Sequence, residues 1–71
     1  QTLAMFGEVG LAGEVRGVAQ ASLRIREATQ MGFERCVMPD ANIDVSLRRL
    51  AGDCELVGVR TVGEALDSLF D

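Results

Sequence analysis

Between residues 35 and 59 a strand-like run, a short helical stripe and a second strand-like run follow one another with almost no spare chain. RCVMP (35–39) closes on the only proline, DANIDVSLRRLAG (40–52) has the spacing of a short helix, and CELVGV (54–59) is apolar and β-branched. Parallel neighbours cannot be joined by a tight hairpin, so a strand, a helix and a strand with short joins predict a parallel pair made by a right-handed crossover. Asn42 or Asp44 is placed to cap the intervening helix, which runs through Leu50 and stops at Gly52.

The remainder of the chain extends this pattern. TLAMFGEV (2–9) is mostly apolar and predicts a strand covered on both faces. Gly10 and Gly13 bracket the turn GLAG, and EVRGV (14–18) alternates charged and apolar residues as a half-exposed strand does. The two runs predict a hairpin across which Glu8 and Glu14 are candidates to face each other, an arrangement that costs stability or raises one carboxyl pKa. From about 19 to 31 the period changes, with Ala21, Ile25 and Ala28 forming an apolar stripe, Gly32 a stop, and Phe33 placed to fold back on the last turn. Thr61 and Glu64 have capping-box spacing, and Val62, Ala65, Leu66 and Leu69 give the last helix its stripe. The expected order is β-β-α-β-α-β-α, a mixed α/β (α+β) arrangement with helices packed mainly on one face of a sheet.

A chain of 71 residues makes one small domain with a modest core, and 48% apolar with 25% charged residues is a globular composition. No apolar run approaches the roughly 20 residues that span a bilayer, and no signal-peptide pattern opens the chain, so no membrane partner is expected. The chain begins at Gln1 inside an apolar run without an initiator Met, which suggests a piece of a longer protein. Cys36 and Cys54 form no CxxC pair and have no histidine beside them, so they read as small buried side chains in a reducing, cytoplasmic setting rather than as zinc ligands.

All seven cations are arginines and the net charge is −4, so any contact with a polyanion has to come from a local patch. The candidates are Arg24, Arg26 and the pair Arg48 and Arg49, for DNA phosphate or for a neighbouring subunit; a solvated helix face is the alternative. Nucleophilic catalysis lacks its partners, because the chain contains neither His nor Lys to activate Ser22, Ser46 or Ser68, which read as helical, mostly solvent-facing positions. The glycines of GEVGLAGE spell GxxGxxG and sit in a hairpin with no GK[ST] after them, so they read as turn formers and not as a phosphate loop.

The run GEVGLAGEVRGVAQASLRIREATQMGFERCVMP, followed by ELVGVRTVGEALDSLF, resembles the C-terminal Lon-protease-like domain of the RadA (Sms) family of bacterial DNA-repair ATPases. The resemblance covers nearly the whole chain and implies a fragment, 1–71, of a Lon-protease-like, ribosomal protein S5 domain 2-like fold. On it, the N-terminal half of that domain, the ATPase core and a zinc motif lie outside these residues. Lon proteases use a Ser–Lys dyad, and alignment on Gly7, Glu8 and Gly13 puts Arg24 at the lysine position. A guanidinium stays charged at any working pH and cannot be the neutral base that a serine needs. The resemblance therefore implies no catalysis and no cofactor in this fragment, with ATP, Mg and Zn belonging to the parent. It further implies a homo-oligomeric parent that reaches DNA at recombination intermediates. Gly17 stands where the family often has proline. The alternatives are a fragment of an ATP-dependent Lon-type serine protease, against which Arg24 counts, and the Lon-like portion of a ComM-type ATPase.

Overall fold

The computed structural model of the chain describes residues 3–70. Strand β1 (Leu3–Met5) is followed by a hairpin of β2 (Glu8–Val9) and β3 (Val15–Arg16), helix α1 (Ala21–Gln30) and β4 (Arg35–Pro39). A 3-10 turn (Asp40–Asn42) leads into α2 (Val45–Ala51), then β5 (Glu55–Val59) and α3 (Val62–Leu69). The architecture is mixed α/β, as the sequence predicts.

The main sheet has the order β1-β4-β5 and both pairings are parallel, with Ala4 beside Cys36 and Cys36 beside Leu56. Both crossovers step across the sheet in the same direction. Right-handed crossovers that advance one way leave their helices on one face, and α1 and α2 do lie together there. Cys36 and Met38 of β4 point to that side and form the core with Ile25, Leu47, Ala51 and Cys54, flanked by Ala4, Phe6, Ala21, Ile43, Leu50 and Leu56. Val37 and Val59 point to the other side, where the hairpin and α3 sit against the sheet.

The single strand expected over 2–9 is in fact two, apart from Thr2, which lies outside the described residues. The Phe6 N–H still reaches the Val37 carbonyl (3.1 Å), but beyond it the chain leaves the sheet and pairs with β3 instead. Gly7 permits the departure, since a Cβ there would stand 3.3 Å from the Val15 side chain and 3.4 Å from Pro39. Nor is the strand covered on both faces: Met5 is 47% exposed.

Helix ends follow local chemistry. The N–H groups of Gly32 and Phe33 donate to the carbonyls of Thr29 and Ala28 (3.1 Å each), a Schellman end with Gly32 at φ +82. Asp44, not Asn42, caps α2 by accepting from the Leu47 N–H (2.8 Å). Asn42 instead clamps Val18, accepting from its N–H (2.8 Å) and donating to its carbonyl (3.0 Å). Thr61 accepts from the Glu64 N–H, and the Glu64 carboxylate accepts from Arg60, one residue earlier than a strict capping box. The start of α1 has no side-chain cap, and Gln20 before it is left-handed at φ 61.

Burial pushes the Cys36 thiol up from 9.0 to about 11, with the neighbouring Cys54 a lesser cause, and burial also raises Cys54, helped by Glu55. Both are free thiols.

Three outcomes follow for chemical denaturation. Gln20→Gly relieves the left-handed strain and should raise stability by about 1 kcal/mol; a lower midpoint contradicts this geometry. Gly58→Ala should lower stability by about 1–3 kcal/mol, because its Cβ would meet Asp40 Oδ1 at 2.6 Å and the Asp40 Cα at 3.1 Å. The raised Cys36 thiol contributes stability that is complete below the unfolded thiol pKa and is lost as pH rises from 9 to about 11. With no Tyr and no Lys in the chain, few other groups titrate in that window. The drop, on the order of 2–3 kcal/mol, should shrink in Cys36→Ala, and an unchanged drop would exclude this thiol as its source.

Candidate functional site

The hairpin is built around Glu14. Its carbonyl accepts from the Gly10 N–H (2.9 Å), and its carboxylate accepts from the Ala12 N–H (3.0 Å) and from Arg16 (3.3 Å). The Gly13 N–H closes the turn on the Gly10 carbonyl (3.1 Å). The N–H groups of Gly10, Ala12 and Gly13 are thus used inside the turn, as expected of turn-forming glycines. A Cβ on Gly10 would run into the Glu14 carboxylate, so this glycine supplies space.

Glu8 and Glu14 do not face each other. The register sets Glu8 opposite Arg16 and Val9 opposite Val15. The Glu14 carboxyl lies below the usual range, held there by its own backbone N–H, that of Ala12 and then Arg16. The expectation of two facing acids fails because the register brings an arginine where a second acid was placed.

Two main-chain bonds clip the hairpin to the junction of β5 and α3: Val15 N–H to the Arg60 carbonyl (2.7 Å) and Val62 N–H to the Gly13 carbonyl (3.0 Å). The hairpin, α3 and the second face of the sheet enclose an apolar groove of about 340 Å³. Met5, Val9, Val37, Val59, Val62 and Leu66 line it. Sequence reading assigned these residues to strand cores and a helix stripe and so missed the groove. Its exposed rim is Met5 (47%), Val9 (59%) and Leu66 (51%).

All four candidate arginines are exposed on the layer formed by α1 and α2. Arg24 stands over the ring of Phe6 at 5.8 Å, a cation–π contact at the β1 edge. Arg26, two residues on, lies about 200° around the helix, so the two do not share a face and do not form one patch beside the GLAG turn. Arg48 and Arg49 occupy the last turn of α2, where the helix dipole favours cations. The other arginines are committed within the chain: Arg16 to Glu14 (3.3 Å), Arg35 to Glu55 (3.5 Å) and Arg60 to Asp40 (3.5 Å).

Ser22 and Ser46 are exposed, but Ser68 is buried, against expectation, and donates to the Glu64 carbonyl of its own helix (3.1 Å). Among the described residues no three His, Cys, Asp or Glu side chains are grouped to hold a metal ion, and no helix is long and apolar enough to cross a membrane.

No protein-family model matches the chain. Curated proteins do. DNA repair protein RadA of Escherichia coli strain K12 is 42% identical over 71 residues, 100% of this chain and 15% of that protein. DNA repair protein RadA of Bacillus subtilis strain 168 is 45% identical over 61 residues, 86% of this chain and 13% of the relative. The protein of the same name from Chlamydia pneumoniae is 39% identical over 66 residues, 93% of this chain and 15% of its own length. The chain therefore spans only 13–15% of each of these relatives, while they match 86–100% of it. By sequence it is a segment of the RadA family.

Proposed function

We propose that this chain is a non-catalytic scaffold and assembly module, with a Lon-protease-like fold, at the C-terminal end of a RadA-like DNA-dependent ATPase. In this reading the parent binds ATP, Mg and Zn outside these residues, assembles with copies of itself and processes recombination intermediates in the cytoplasm. The observation that carries the assembly role is the apolar groove, whose rim residues Met5, Val9 and Leu66 remain about half exposed. Large apolar side chains gathered on one open face are the usual mark of a surface that another polypeptide covers.

The absence of protease chemistry is supported by the side chains themselves. Arg24, at the position of the protease lysine, is a permanent cation over Phe6. The Ser68 hydroxyl is bonded within α3, and the two thiols are held neutral by burial. Nothing in this arrangement favours the reading as a Lon-type protease fragment.

Two measurements test the proposal. The purified chain should self-associate in sedimentation experiments, and Met5→Glu or Leu66→Glu should shift it toward monomer by at least tenfold in dissociation constant; a wild-type chain that stays monomeric at high concentration removes the assembly role. For nucleic acid, the double change Arg24→Ala, Arg26→Ala belongs in the full-length protein, with DNA binding and ring assembly read separately. Few phosphate contacts give weak, salt-sensitive binding per copy, raised by avidity in a ring. A DNA role predicts weakened binding and a shallower salt dependence with assembly intact. Rings that fall apart while affinity per protomer is unchanged identify these arginines as subunit contacts instead.

A further inference from the structure

We draw no further inference here: the strongest candidate, the apolar groove between the second face of the sheet, the β2–β3 hairpin and α3, belongs to the surface already assigned to assembly, and nothing in the structure shows what covers it.

Discussion

Two parallel crossovers that step the same way across a three-stranded sheet govern the rest of this molecule. Their shared handedness sends α1 and α2 to one face, and that face holds the main core cluster. The central strand β4 is the pivot, since it pairs with both neighbours and Cys36, Val37 and Met38 are fully buried. What remains for the second face is a two-stranded hairpin and one short helix. These are too small to cover three strands, and the groove is the part left open.

The hairpin reaches that face only because the first apolar run is divided between two sheets. Phe6 ends the pairing with β4, Gly7 passes close to Pro39, and the chain turns over the sheet toward the β5–α3 junction. Main-chain bonds then fix it at Gly13 and Val15, and Glu14 organises the turn between β2 and β3 with its carbonyl and carboxylate. The backbone donors of Gly10, Ala12 and Gly13 are thereby satisfied within the turn.

What was legible in the sequence was local. The strands at 35–39 and 54–59, the Schellman end at Gly32 and Phe33, and the Thr61 cap rest on contacts within a few residues, and each stands close to where the residues place it. The start of α1 was less legible, because Gln20 takes a left-handed conformation that no residue nearby announces. The break after Phe6 was hidden by continuous hydrophobicity, and only long-range pairing decides which sheet each half joins. The same long-range register set Glu8 against Arg16 and defeated the paired-carboxylate expectation. The separation of Arg24 from Arg26 had a signal available in advance, because two helical steps turn a side chain most of the way to the opposite face. The groove had none: each of its residues has the ordinary apolar character of a strand or helix stripe.

The four candidate arginines and the apolar groove lie on opposite sides of the main sheet. Among the described residues Arg26, Arg48 and Arg49 have no intrachain ion pair, and with Arg24 they lie on α1 and α2. The groove lies across the sheet from them. A net charge of −4 repels a polyanion from most of the surface, so any approach of phosphate has to run through a local group of arginines. The groove side, by contrast, gains from association through burial, which salt screens little. The two faces are joined at one point, because Arg24 stands over the ring of Phe6, which also lines the groove, so changes at Arg24 are expected to couple to the groove side.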